Sequence, residues 1–338
     1  MLCLGIESTA HTFGCSILDF HPSLQDGNRG KILSDIRDQY RSSEGSGIHP
    51  REASRHHARI ASSVLKQSLE KAKILMKEVD IVAYSAGPGL GPCLRVGAVI
   101  ARALAAFYRK PLIPVNHALG HIELGAMITG ASDPLVLLVS GGHTIIVAFS
   151  EKRWRVFGET LDITIGQLFD QFGRAVGFAS PCGRRIEQLA NQSSQNYLRL
   201  PYVVKGNDVS LSGLLTAAKR LYSEQSALQD ICYSMQETAF AMITESVERA
   251  ISFTGKKETM VVGGVAANKR LVEMLGSASE RFNAKLFSCP INFAGDNGVQ
   301  IAWTGILDYT TNKSGVSIEE SFTYQSWRVD TVEVGWRK

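Results

Sequence analysis

The sequence predicts an α/β fold laid out as two halves of one plan with a cleft between them, and three observations lead there. Residues 2–20, LCLGIESTAHTFGCSILDF, and 135–149, LVLLVSGGHTIIVAF, each read as an apolar strand, a small polar turn and a second apolar strand. Residues 80–107 (DIVAYSAGPGLGP, then LRVGAVIARALAAF) and 259–279 (TMVVGGVAAN, then KRLVEMLGSAS) each read as buried strand, glycine-rich loop and helix. Residues 51–77 and 226–253 carry apolar side chains at helical spacing. Strands alternating with helices give α/β layers, and a plan used twice suggests a cleft between the halves.

In chain order, the first hairpin leaves the amides of its turn free to face a ligand. Residues 21–31 (HPSLQDGNRGK), 41–50 (RSSEGSGIHP) and the tail after Thr310 are rich in small polar residues and turn formers, and are expected to be the least ordered stretches. The 51–77 helix leads into the 80–107 unit, where a helix N-terminus at a glycine loop attracts phosphate. A division near residue 130 separates the halves. The 135–149 hairpin opens the second half, the 226–253 helix ends before Gly255, and the 259–279 unit repeats strand, loop and helix.

The bulk numbers exclude several classes. With 338 residues, 44% hydrophobic and 20% charged, the chain is long enough for two globular domains and is not broadly disordered. A net charge of +4 without runs of like sign permits an RNA partner without requiring one. Six cysteines, at 3, 15, 93, 182, 232 and 289, are too dispersed for a CxxC knuckle or a disulfide framework and read as reduced thiols. No uncharged apolar run reaches the roughly 18 residues of a membrane span, and MLCLGIES opens into a strand without a basic region, so a cytoplasmic protein is expected.

The chemistry centres on NHALGHIELG. His117 and His121, four apart on a helix, project from one face with Cβ atoms about 5–6 Å apart, a spacing that suits one metal ion. Ala118 stands where an HExxH zinc protease needs its general base, which disfavours that class. Packed or capping histidines would show the same spacing, and a third ligand is needed to decide. FAGDNGVQIAW supplies Asp296 in a loop before a helix; two imidazoles and a carboxylate with open positions suit Fe(II), Zn or Mn, although spacing alone cannot join residues so far apart.

Elsewhere the signals are weaker one by one. Gly263 and Gly264 let a flat ligand approach the backbone, and the Asn268 amide can donate and accept as adenine recognition needs. Ser140, Gly141 and Gly142, before His143 and Thr144, offer amides to phosphate or carbonyl oxygens. Asp162, Asp170 and Glu187, with Gly183 at a turn into a helix, could hold ribose hydroxyls; on the residues alone, helix capping for Asp162 and a solvated face for Glu187 are the simpler readings.

Read in order, SAGPGLGPCLRVG, NHALGHIE, LVSGGHT, GETLDITIGQLFDQFGR, VSLSGLLTAA, MQETAFAM, GGVAANKRL and FAGDNGVQIA make the chain resemble the universal tRNA threonylcarbamoyltransferase family from about Gly5 to Trp336. That family includes bacterial TsaD and the catalytic subunit of the archaeal and eukaryotic KEOPS complex, formerly called O-sialoglycoprotein endopeptidase. The resemblance implies a duplicated actin-like (ASKHA, ribonuclease H-like) two-lobed fold, with lobes 1–130 and 131–304 and the 305–338 tail packing back onto the first. It implies ATP or threonylcarbamoyl-AMP in the cleft and one divalent metal ion, Fe2+ first, with Zn2+ or Mg2+ as alternatives. His117, His121 and Asp296 fall on the family's metal and catalytic positions; Asp170, Gly183, Glu187 and Asn268 fall on nucleotide contacts; Leu138, Val139, Ser140, Gly141 and Gly142 fall on the phosphate and acyl loop.

The implied reaction moves threonylcarbamoyl from its adenylate to the N6 amine of the adenosine 3′ of the anticodon, in tRNAs reading codons that begin with adenine. Partners implied are tRNA, a kinase-like subunit and a small dimerising subunit. GIESTAHTFG and WRVDTVEVGW look archaeal or eukaryotic, whereas LLVSGGHT looks bacterial, with Leu138 where archaeal members carry a tyrosine ligand and His143 where they carry asparagine. SPCGRR replaces the usual PGGP, putting Cys182 and Arg184 beside the ribose site. His11 and Glu7 are the candidate general bases. The rival readings are a small-molecule kinase of the same superfamily, a non-catalytic nucleotide-binding scaffold and, third, a glycoprotein protease, for which no partnered Ser or Cys nucleophile is evident.

Overall fold

The computed structural model describes residues 1–21, 30–43 and 45–337. Its first half runs β1 (Leu2–Glu7), β2 (Thr12–Phe20), β3 (Gly30–Gln39), α1 (Pro50–Ala72), β4 (Ile81–Gly87), α2 (Gly91–Tyr108), β5 (Leu112–Asn116) and α3 (His117–Thr129). The second half continues with β6 (Leu135–Val139), β7 (Thr144–Ser150), β8 (Arg153–Glu159), α4 (Ile165–Ala175), α5 (Gly183–Ala190), β9 (Val204–Lys205), β10 (Asp208–Val209), α6 (Ser212–Ser223) and α7 (Leu228–Thr254). It closes with β11 (Glu258–Val262), α8 (Lys269–Arg281), β12 (Lys285–Ser288), α9 (Ile291–Ala294) and α10 (Gly298–Asn312).

The two large sheets repeat one topology. The first has the order β3-β2-β1-β4-β5 and the second, read from the other edge, β8-β7-β6-β11-β12. In each, three strands form an antiparallel meander and two more add in parallel on the far side of its first strand. The two hairpins and the two strand-loop-helix units read from the sequence are the matching pieces of this duplication.

Alternation along the strands sorts side chains onto two faces. In β6, Leu135, Leu137 and Val139 join the core under α4 to α8, whereas Val136 and Leu138 join a core built with Ala118, Leu119 and Ile122 of α3. On the first sheet, Leu4, Ile6, Val82 and Tyr84 pack with α1 and α2. Cys3, Ile81, Ala83 and Ile113 face Leu124 of α3 and Val299, Ala302 and Ile306 of α10. The helices α3 and α10 are thereby pressed between the two sheets, which accounts for α3 being buried on every side from His117 to Ala126. The approach of α10 to β1 is so close that a Cβ on Gly298 would lie 2.7 Å from the Gly5 carbonyl oxygen.

Several boundaries differ from the sequence reading. The helix expected over 51–77 stops at Ala72, because Lys73 takes a left-handed conformation at φ 57°, and Met76–Glu78 forms a separate 3-10 turn. The helix of the 80–107 unit starts at Gly91, with proline in its first turn. Within the stretches expected to lack order, residues 22–29 lie outside the described ones, and Gly30 already begins β3. The tail is docked: Val316 N–H donates to Leu112 O (2.9 Å), Tyr324 N–H to Ala86 O (2.7 Å) and Val334 N–H to Lys152 O (2.7 Å). Among the described residues α2 is the one helix long and apolar enough to cross a membrane by length and composition. Its Ala98, Ala101 and Ala105 are core residues, and its Arg102 bonds the tail at Ser321.

Candidate metal and nucleotide site

Asn116 caps α3, its side-chain oxygen accepting from Leu119 N–H at 3.1 Å, so His117 begins the first turn and His121 lies one turn on. Their ring centroids are 4.7 Å apart and nearly perpendicular. Asn297 caps α10 in the same way, accepting from Gln300 N–H at 2.9 Å, and this sets Asp296 opposite the two rings. Asp296 Oδ1 lies 3.5 Å from His117 Nε2 and 3.3 Å from His121 Nε2. The three donor atoms fall within 4.8 Å of one another. His121 Nε2 is buried and has no hydrogen bond, despite its closeness to Asp296. A buried ring nitrogen without a hydrogen bond, beside a second imidazole and a carboxylate, fits a divalent cation.

Burial and the surrounding carboxylates set the charge of each donor in the absence of a cation. Glu7 is fully buried; its Oε2 stands 3.0 Å from His117 Nδ1, and its Oε1 accepts from Thr9 N–H (2.6 Å) and Thr9 Oγ1 (2.5 Å). Gln300 and Thr9 also approach His117 Nδ1, at 3.1 and 3.4 Å. Burial opposes a charge on His117, but the Glu7 and Asp296 carboxylates outweigh it and lift its pKa to about 10. Burial dominates for His121, whose pKa is lowered, and for His143, which burial and the two neighbouring imidazoles bring down to about 3. Burial also opposes charge on Asp296, yet the two imidazoles beside it hold it well below the usual carboxylate range. With both its oxygens engaged, Glu7 is not placed to act as a general base. His11 sits half-buried at the turn of the same hairpin, near enough to Asp170 across the cleft for its charge to be felt there.

The residues read as nucleotide contacts gather where α5 and α8 begin. Asp170 Oδ1 accepts from Cys182 N–H at 2.6 Å, just before Gly183 opens α5, and burial pushes its carboxyl up. Glu187 is no solvated face: its Oε1 accepts from Lys269 N–H at 3.0 Å, fastening α5 to the start of α8. The Asn268 side-chain oxygen caps α8 through Arg270 N–H (3.0 Å) and Leu271 N–H (3.3 Å), and its amine donates to Gln236 Oε1 at 2.8 Å. Gly263, at φ 94°, brings the backbone so close to β6 that a Cβ would meet Val139 O at 2.4 Å, while Gly264 faces open space.

Of the 138–142 loop, Leu138 and Val139 are fully buried strand residues whose side chains lie in opposite cores. Within the turn, Ser140 N–H donates to His143 O (2.8 Å), and Gly142 N–H (3.2 Å) and His143 N–H (3.0 Å) donate to Ser140 Oγ. Asp162 binds another helix start: it accepts from Leu211 N–H (2.8 Å) and Ser212 N–H (3.2 Å) before α6, while Thr164 caps α4. Sequence reasoning missed Gln300 and Arg37. Gln300 follows Asp296 by four residues and could have been read as facing the same way; Arg37 lies in a strand that was not read. An open depression of about 490 Å³ between β8 and the tail, lined by Arg155, Glu159, Asp208 and Arg328, holds none of these residues.

Residues 31–303 match the family described as TsaD, tRNA N6-adenosine threonylcarbamoyltransferase. The chain belongs to that family. A relative of that name from Caldivirga maquilingensis is 46% identical, over 99% of this chain and 98% of its own. Another from Ignicoccus hospitalis is 48% identical, over 99% of this chain and all of its own. The solved structure of full-length HypF in its phosphate- and nucleotide-bound form has a TM-score of 0.65 at 12% identity, covering 95% of this chain and 56% of that one. This likeness shows the fold, the duplicated actin-like α/β architecture.

In this member of the threonylcarbamoyltransferase family, Leu138 completes the apolar core against Ala118 and Ile122. His143, on the same turn, brings a buried Nδ1 with no hydrogen-bond partner into the field of His117, His121 and Asp296. Cys182 is buried with its thiol pKa pushed up to about 11 by burial first and Asp170 second, so at neutral pH it is an uncharged thiol rather than a nucleophile.

Proposed function

We propose that the chain transfers a threonylcarbamoyl group from threonylcarbamoyl-AMP to the N6 amine of the adenosine 3′ of the anticodon, in tRNAs reading codons that begin with adenine. The observation that carries this reading is the meeting of His117, His121 and Asp296 within 4.8 Å in a member of this family. The N6 lone pair attacks the carbonyl carbon, the bond from that carbon to the phosphate oxygen breaks, AMP leaves with the electron pair, and the N6 proton passes to a base. Since an exocyclic amine is a weak nucleophile, positioning and stabilisation of charge on the carbonyl and phosphate oxygens supply most of the acceleration. When bound, a divalent ion, proposed as iron(II) with zinc(II) and magnesium(II) as alternatives, would polarise those oxygens.

The chain's own residues do the rest. The Gly141 amide faces the acyl group, Asp170 and Glu187 border the ribose beside Gly183, and Gly263 and Gly264 admit the adenine ring. His11 is the proton acceptor that remains once Glu7 is engaged with Thr9 and His117. The two lobes are taken as 1–130 and 131–304, with the 305–338 tail packing back onto the first, a division supported by Ile306 lying in the core of the first sheet. The expected partners are tRNA and KEOPS-type kinase-like and small dimerising subunits, in the cytoplasm.

The test combines the chain with those partners, tRNA, threonine, bicarbonate, ATP and the adenylate-forming enzyme, then analyses nucleosides by mass spectrometry. Threonylcarbamoyladenosine should accumulate with the wild-type chain and not with His117→Ala. No modified adenosine, with every other component shown active, overturns the reading.

A further inference from the structure

Asp296 arrives at the two histidines on a segment, 292–296, that comes off the second sheet through β12 and α9, and a side chain of the opposite half fastens that segment. Arg37 lies in β3, the edge strand of the first sheet, beside Asp35 on the same strand face. Its guanidinium donates to Asn292 O at 2.6 Å through Nη2 and to Asp296 O at 3.4 Å through Nη1. Asp35 Oδ2 accepts from Arg37 Nε (3.0 Å) and Nη2 (2.7 Å), while Ser16 Oγ donates to Asp35 Oδ1 at 2.8 Å. Arg37 is thus held on one side by a carboxylate fixed to β2, and on the other it grips both ends of the segment that presents a metal donor.

We propose that Arg37 is a positioning residue: through the backbone of 292–296 it holds the Asp296 carboxylate over His117 and His121. The planar fork is what the geometry needs, because two nitrogens reach two carbonyls four residues apart, and lysine has only one nitrogen. Partners that orient a ligand from outside the coordination sphere typically change metal affinity 10- to 100-fold when removed. The inference rests on His117, His121 and Asp296 being the metal ligands.

The experiment titrates cobalt(II), followed by its absorption spectrum, into the purified full-length chain. The comparison set is wild type, Arg37→Gln, Arg37→Lys, Asp35→Asn/Arg37→Gln and Asp296→Ala, with melting of each metal-free protein in parallel. Arg37→Gln and the double variant should weaken cobalt binding about 10- to 100-fold, while the metal-free melting midpoint of the double variant stays at the wild-type value. Arg37→Lys should fall between. Cobalt affinity unchanged in both glutamine variants, with binding lost in Asp296→Ala, overturns the role of Arg37 and leaves the ligand assignment standing. Cobalt binding retained by Asp296→Ala overturns the ligand assignment and this inference with it. Affinity and metal-free midpoint falling together in every Arg37 variant, with no rescue by lysine, reduces Arg37 to a general structural residue and overturns the inference too.

Discussion

His121 carries an Nε2 that is buried and without a hydrogen bond, and this single atom makes the site testable without any assay of the reaction. An unpartnered buried polar atom costs about 1–3 kcal/mol, a cost that a bound cation removes and an apolar side chain never incurs. His121→Leu is therefore expected to leave the metal-free protein as stable as wild type or about 1 kcal/mol more stable, and to abolish the rise in melting temperature that zinc or cobalt gives the wild type. Chemical denaturation with and without metal checks both halves. A loss of several kcal/mol in the metal-free variant would mean that Nε2 has a partner and that the histidine belongs to the core. The pair itself was readable from the sequence because four-residue spacing on a helix fixes which way both rings project. Asp296 could not be joined to it, since only the packing of α10 between the sheets brings residue 296 to residue 121. The cap at Asn268 is a local signal of the opposite kind: an asparagine immediately before Lys269, Arg270 and Leu271 stands in capping position.

Between hairpin and helix, α1 is anchored by a buried histidine. His57 Nε2 donates to Ala10 O at 2.9 Å, its Nδ1 faces His56 Nδ1 at 3.4 Å, and His56 in turn meets Asp38 at 3.1 Å. Burial first, then the charge of His56, lowers the His57 pKa to about 4, although the Ala10 carbonyl and Glu7 pull the other way and His11 adds to the lowering. The unfolded chain takes up this proton near about 6.5 and the folded chain only near 4, so the contribution of neutral His57 is complete above 6.5, declines as pH falls from there, and is gone below 4. At 1.36 kcal/mol per unit the loss is at most about 3 kcal/mol. Unfolding free energies measured across that window should slope for wild type, and His57→Gln should remove most of the slope; an unchanged slope assigns the titration elsewhere. At this same scale the sequence was legible wherever a period was clean. Both hairpins alternate around small polar turns, and both strand-loop-helix units have a glycine punctuating the change of period. β3 escaped because it is an edge strand carrying Lys31, Asp35, Arg37 and Asp38, the charges that protect an edge also hiding its alternation. α1 was read too long because Ile74 and Met76 continue its apolar spacing into the same core after Lys73 has turned the chain.

Across the whole molecule, the tail is the element that ties the two halves to α3. It runs over the first half, where Asn116 donates to Trp327 O at 3.0 Å, then over the second, where Arg328 meets Glu159 at 3.3 Å and Val329 and Val334 enter the core beside Trp154. It finishes on α3: Arg337 Nε and Nη2 each donate to the Glu123 carboxylate at 2.9 Å, Arg337 Nη1 donates to Ser132 O at 3.1 Å, and the guanidinium lies over the Trp154 ring. Glu123 is only 3% exposed, so removing its cation strands a charge in the interior, which costs about 3–5 kcal/mol, whereas replacing both partners by uncharged groups of similar volume is near neutral. Arg337→Met alone should therefore destabilise the protein by about 3 kcal/mol or more, and Glu123→Gln/Arg337→Met should return to within about 1 kcal/mol of wild type. Because Glu123 lies two residues beyond His121 on the helix that carries both histidines of the proposed metal site, cobalt affinity should fall in the single variant and recover in the double. A double-mutant cycle by urea unfolding, with a cobalt titration on each member, reads both quantities. A single variant that loses less than 1 kcal/mol, or a double that fails to recover, would place the tail outside the structure that holds α3 in register between the sheets.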